Sequence, residues 1–153
     1  MTEYTSLIAT PNYPNKYPRL TSCLWDIDFG PGMDIHVKFL DFNVEDTCDY
    51  DYVTVSSGVN GTKRKYCGFD LPPSASVKGG PIQIGFVSDD DTELSGFSLE
   101  YEATGISAVT FYRLYNKTSL TQRVMNAYHQ SDGEISRLIE FPSCPKPWIT
   151  CFP

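Results

Sequence analysis

Met33-Asp34-Ile35-His36-Val37-Lys38-Phe39 alternates apolar and polar side chains without a break. A period of two belongs to a strand with one face buried and one in water. The same pattern recurs at Ile82, Ile84 and Phe86, and again at Phe97, Leu99 and Tyr101, with Ser98, Glu100 and Glu102 on the opposite face. Tyr50 to Val55 is aromatic and β-branched, as strands prefer. Breakers separate these runs: Phe29-Gly30-Pro31-Gly32, Val59-Asn60-Gly61-Thr62, Leu71-Pro72-Pro73 and Lys78-Gly79-Gly80-Pro81. Their spacing is that of an antiparallel sandwich, and no helical period occurs before residue 105. An all-β fold is the expectation.

The chain has 153 residues, enough for one domain with a core of its own or one domain plus an appendage. Its net charge of −7 argues against a nucleic-acid partner, which needs clustered Lys and Arg. The one compact basic run, Lys63-Arg64-Lys65, reads as a solvated strand or hairpin tip. No apolar stretch approaches the roughly 20 residues of a membrane span. Met1-Thr2-Glu3-Tyr4 lacks the basic start and apolar run of a signal peptide, so either the chain is cytosolic or its secretion signal lies outside this sequence. Residues 1–104 carry 16 acids and 7 bases, a net of −9, and residues 105–153 carry 3 and 5, a net of +2. That shift suggests a boundary near Thr104-Gly105.

Several motifs follow one another in order. Pro11-Asn12-Tyr13-Pro14-Asn15-Lys16-Tyr17-Pro18 is dense in Pro and Tyr, and Cys23-Leu24-Trp25-Asp26-Ile27 follows it. Phe42-Asn43-Val44-Glu45, Cys48-Asp49-Tyr50-Asp51-Tyr52-Val53, Cys67-Gly68, Phe86-Val87-Ser88-Asp89 and Gly96-Phe97 come next. Together, over about residues 4–103, they resemble a CUB domain. The resemblance implies a jelly-roll-like antiparallel β-sandwich in a secreted protein or the ectodomain of a longer one. It implies protein or glycan contact, and no enzyme. It also implies a Cys48–Cys67 disulfide, which would close a loop worth roughly 3 kcal/mol. The sequons at Asn60 and Asn116 are compatible with secretion and glycosylation.

Acids gather in three separate segments: Glu45-Asp46, Asp49 with Asp51, and Asp89-Asp90-Asp91. Such clusters repel unless solvent or a hard cation separates them, and Ca²⁺ takes six to eight oxygens. The calcium-binding subset of the CUB family places ligands at the positions of Glu45, Asp51 and Asp89, with a supporting tyrosine at that of Tyr17. Asp91 and the Asp90 carbonyl are added here as assisting ligands. In that subset the acidic edge pairs with Lys or Arg of a partner. Tyr13, in the same loop as Tyr17, is equally open to packing or contact. The alternatives are a metal-free assembly subunit of a larger complex and a glycan-binding adhesion module. His36, on the polar face of its strand, and His129 read as surface residues, and Trp25 as core. The nucleophile-elbow, zinc-protease, dinucleotide and phosphate-loop patterns are absent.

Residues 105–153 match no family. Ile106 to Tyr115 could extend as a strand. Ser119-Leu120-Thr121-Gln122 and Ser131-Asp132-Gly133-Glu134 resemble capping boxes. Helical spacing follows each, at Leu120, Val124 and Tyr128 and at Ile135, Leu138 and Ile139. Four prolines between Pro142 and Pro153 argue against regular structure there. The expectation is an irregular, partly helical extension docked on the sandwich or on a neighbouring chain. No cysteine precedes Cys23, so Cys23 is free, paired with the tail or joined to another chain. Cys144–Cys151, closing a small loop around Trp148, is the preferred assignment.

Overall fold

The structure, a computed structural model, describes residues 2–58, 60–106 and 148–152. Nine strands lie among them: β1 (Thr2–Ala9), β2 (Ser22–Ile27), β3 (Met33–Asn43), β4 (Tyr52–Ser57), β5 (Lys63–Tyr66), β6 (Ala75–Lys78), β7 (Ile82–Val87), β8 (Gly96–Gly105) and β9 (Trp148–Phe152). They form a sandwich of two antiparallel sheets, one ordered β1-β8-β3-β6 and the other β5-β4-β7-β2-β9.

The alternating positions meet between the sheets. Met33, Ile35, Val37 and Phe39 of β3 face Cys23, Trp25, Ile27, Ile82, Ile84 and Phe86 of β2 and β7. Phe97 sits at the centre, edge-on to Trp25 at 5.5 Å and to Phe39 at 5.6 Å. Trp25 is core and His36 is on the surface, where its Nδ1 lies 2.7 Å from Ser76 Oγ.

The alternation in β3 does not run to its end. Pairing with β8 slips between Phe39 and Asp41, so Leu40 and Asp41 are both exposed and Phe42 returns inward. A bulge of this kind re-aims the residues beyond it. It brings Val44 back into the core and Glu45 to the end of the sandwich. Gly96 opens β8 at φ 80°, and a Cβ there would stand 2.0 Å from Thr10 Oγ1. Only glycine fits.

Two expectations for the tail are corrected. Trp148–Phe152 is a strand: β9 pairs with the outer edge of β2, Cys23 opposite Cys151. The prolines do not prevent this, because Pro145 and Pro147 precede the paired residues and Pro153 follows them. The five residues between keep their N–H donors, and the β2 edge offers acceptors that β7 leaves unused. The second correction concerns Cys151. It is bonded to Cys23 and not to Cys144. Directly opposed residues on neighbouring strands lie within disulfide reach, and this register sets those two opposite. Of the strand expected over Ile106 to Tyr115, Ile106 follows the end of β8 and residues 107–115 lie outside the described residues, as do both helices, Cys144, Asn116 and His129.

Candidate metal centre

One end of the sandwich collects the C-terminal ends of β3 and β7 and the N-terminal end of β4. Antiparallel pairing dictates this, since Tyr52 lies opposite Val87 and the residues just outside that pair are Asp51 and Ser88-Asp89. Glu45 arrives from the other sheet, two residues past β3. It is held there by Gly68: the Val44 N–H donates to the Gly68 carbonyl at 3.0 Å, and the Gly68 N–H donates to the Glu45 carbonyl at 3.0 Å. Gly68 does this at φ 86°, immediately after Cys67. The Cys48–Cys67 disulfide anchors the same loop.

Glu45, Asp51 and Asp89 converge. One carboxylate oxygen of each lies within 4.8 Å of the other two. Asp51 is fully buried. Its Oδ1 accepts the Asp89 N–H at 2.7 Å, and its Oδ2 accepts the Tyr17 hydroxyl at 2.5 Å. Tyr17 is itself buried, edge-on to Phe86 at 5.0 Å, with its N–H donating to the Leu94 carbonyl at 2.9 Å. Burial, then the bond to Asp51, pushes the Tyr17 phenol above its ordinary range, so it remains a donor.

The electrostatics are unfavourable for the acids alone. Burial raises the Glu45 carboxyl above the usual carboxylate range, and the charges of Asp51, Asp89 and Asp91 add to the rise. Burial raises Asp51 too, against the two hydrogen bonds that lower it. Glu45 Oε2 is buried and has no hydrogen-bond partner. A buried carboxylate oxygen without a donor opposes folding. Three carboxylates with one orphaned oxygen could hold a hard cation, and an all-oxygen set suits Ca²⁺ better than a metal that favours nitrogen or sulfur.

Asp91 does not join this group. It is exposed, its Oδ1 accepts the Thr92 N–H at 2.9 Å, and its own N–H donates to Asp89 Oδ1 at 2.9 Å. Asp91 thus orients Asp89 through its backbone. Tyr13 is also elsewhere: half-buried, it donates its hydroxyl to Asp41 Oδ2 at 2.8 Å. Asn60 is exposed in the turn between β4 and β5.

Sequence reasoning missed the tether that fixes Asp89. The Leu20 N–H donates to the Asp89 carbonyl at 2.7 Å. The Ser88 hydroxyl accepts the Thr21 N–H at 3.1 Å and donates to the Pro18 carbonyl at 2.8 Å. These bonds join residues 67 to 70 positions apart, and no local pattern signals them. Arg19, paired with Glu93 at 2.5 Å, was likewise unmarked; it holds the Glu93 carboxyl below its usual range.

A disulfide-braced β-sandwich with an acidic, cation-suited end defines the class. The CUB domain family model matches residues 1–101, and the chain belongs to that family of extracellular protein-interaction modules. Dog (Canis lupus familiaris) cubilin is 38% identical over 111 residues, which is 71% of this chain and 3% of cubilin. Mannan-binding lectin serine protease 1 of Rattus norvegicus is 36% identical over 109 residues, 68% of this chain and 15% of the protease. The chain thus spans a small part of the curated relatives it matches. Among solved structures, the MASP-1 CUB2 domain bound to Ca²⁺ superposes with a TM-score of 0.58 at 35% identity, over 63% of this chain and 90% of that one.

Proposed function

We propose that this chain is a non-catalytic, secreted or ectodomain module. In this reading its acidic end binds calcium and then takes a Lys or Arg side chain of a partner protein. The supporting observation is Glu45 Oε2, buried and unpartnered beside Asp51 and Asp89. The calcium-bound MASP-1 CUB2 neighbour supports the choice of ion. Glu45, Asp51 and Asp89 would hold the ion, which supplies the positive charge that lets three carboxylates share one site.

The chain's own groups do the rest. Tyr17 and the Asp89 N–H fix both Asp51 oxygens, so Asp51 cannot swing toward solvent. Leu20 and Asp91 fix the Asp89 backbone and one of its oxygens. Glu45 and Asp89 are each only partly covered, so lone pairs at the rim stay open to an ammonium or guanidinium. A single such contact is weak, and several modules acting together would strengthen it.

The metal-free assembly reading relied on an unpaired Cys23. That cysteine is bonded within the chain.

The experiment is thermal unfolding of the intact chain with chelator and with millimolar calcium, followed by partner-mimic binding of a lysine-rich peptide. Calcium at ten- to twentyfold above its Kd should add about 1–2 kcal/mol of stability. Asp89→Ala should abolish that gain and the peptide binding together. Superimposable melting curves would remove the metal from the account.

A further inference from the structure

Along one side of the sandwich, the sheets part between their short edge strands β5 and β6. The gap is a cleft of about 310 Å³. That is the lower end of the range for small-molecule sites and suits one ring-sized group. One wall comes from the β4–β5 hairpin and the other from the segment entering β6. Val55, opposite Arg64 across the hairpin, is four residues along β4 from Asp51, about 13 Å at strand rise. At its near end the cleft reaches Tyr66, opposite Val53 and two residues from Asp51, but none of Glu45, Asp51 and Asp89 lines it.

Its lining is of three kinds. Arg64 supplies a guanidinium. Ser57, Thr62 and Ser74 supply hydroxyls, and Tyr66 adds a phenol and an aromatic face. Val55 forms apolar floor. Among the described residues, neither Arg64 nor any of these hydroxyls makes a hydrogen bond or ion pair. The neighbouring Lys65 differs. Its Nζ donates to the Cys48 carbonyl at 3.0 Å and sits 3.8 Å from the centroid of the Tyr52 ring. Positive charge on an edge strand guards against pairing with other sheets. That accounts for the basic run but not for a hydroxyl-lined cleft beside its one uncommitted guanidinium.

We propose that this cleft is a subsite for a single acidic sugar residue. A guanidinium fork accepts a carboxylate or a sulfate through two parallel bonds. Ring hydroxyls match the serine and threonine hydroxyls, and the apolar face of a pyranose matches Tyr66 and Val55. A sugar is the better occupant because one pyranose ring carries several hydroxyls beside its single acidic group, matching three small hydroxyls beside one guanidinium.

The test is an NMR titration of the intact, calcium-loaded chain with methyl glucuronide and with N-acetylglucosamine 6-sulfate. The controls are methyl glucoside, sodium acetate and a tetraglutamate peptide. Shifts are expected within 62–66 and 73–76 for at least one acidic sugar, binding at least about tenfold tighter than any control. Arg64→Gln should lose about tenfold or more without changing the melting temperature, since Arg64 has no partner to lose. The acidic sugar should bind equally with chelator present and in Asp89→Ala, which separates this site from the calcium reading. No shift at β5 and β6, unchanged binding by Arg64→Gln, or equal binding of acetate or of the peptide would each overturn it.

Discussion

The acidic end and the β2–β9 edge are both built from residues far apart in sequence, yet they act on stability in opposite directions. At the β2–β9 edge, five backbone-paired residues and a disulfide spanning 128 positions tie the chain to its own second strand. Backbone pairing and the cross-link there favour the fold, and the one opposing feature is Asp26 Oδ1 of β2, buried without a hydrogen-bond partner. At the acidic end, three carboxylates are pressed together, one oxygen is orphaned, and burial raises both Glu45 and Asp51. That arrangement opposes the fold unless a cation joins it. The lesson is a division of labour: the chain combines a covalently closed edge, which favours the fold, with an end whose crowded charges work against it.

Cutting the β2–β9 cross-link should have the larger consequence for stability. Cys151→Ser should cost on the order of 5 kcal/mol in the chain-entropy model, against roughly 3 for Cys48→Ser. The difference follows from separations of 128 and 19 residues. Cys151 is the better site to change, because it is exposed whereas Cys23 is buried. Urea unfolding of both variants under non-reducing conditions measures it. If Cys48→Ser is the more damaging, the tail strand contributes little.

A second test addresses the acidic end through pH. Both Glu45 and Asp51 hold their protons more tightly folded than unfolded. Their contribution to stability is therefore present below the unfolded carboxylate pKa of about 4 and is lost as pH rises through the raised folded values. With chelator, stability should fall as pH climbs out of the acid range. With calcium, which favours the ionised forms, the gain should be large at pH 7.5 and small at pH 4.5. Differential scanning calorimetry at both pH values reads the gain directly. An equal gain at the two would place the ion away from these carboxylates.

How much of this the sequence revealed depends on where each signal lies. The strands announce themselves because alternation is local: Met33 to Phe39 carries its own evidence. The bulge at Leu40 does not, because it is set by pairing with Ser98 and Leu99. The acidic positions were readable because motifs of a known family mark Glu45, Asp51, Asp89 and Tyr17 one by one. Asp91 is marked in the sequence by its adjacency to Asp89, which says nothing about which way a carboxylate turns within a tight loop, and its Oδ1 accepts the Thr92 N–H. For the Cys23–Cys151 bond the sequence offers only an open alternative, pairing of Cys23 with the tail, and the preferred assignment is Cys144–Cys151. Pairing across 128 residues is fixed by a strand register that only the folded sheet supplies, and proline content around Trp148 pointed the other way.

The smallest effects come from two tyrosines that share one loop and separate the acidic end from its surroundings. Tyr17 and Tyr13 each donate a hydroxyl to an aspartate, Tyr17 to buried Asp51 and Tyr13 to exposed Asp41. Tyr17→Phe leaves the phenyl ring against Phe86 and removes only the donor. It should cost about 1–3 kcal/mol, because Asp51 Oδ2 is then buried without it. Water cannot readily replace that bond at a fully buried carboxylate. Tyr13→Phe removes a bond of similar length, but Asp41 lies in solvent and water takes the vacated position. Its cost should stay near the bottom of the usual range for a hydrogen bond, about 0.5 kcal/mol. The calcium-dependent gain in melting temperature distinguishes them further. Tyr17→Phe should alter it, because a freed Asp51 oxygen changes the ligand geometry, whereas Tyr13→Phe should leave it unchanged. A change in that gain from Tyr13→Phe would mean that the acidic end extends to Asp41, and that the boundary between cluster and plain surface lies beyond the Tyr13 loop.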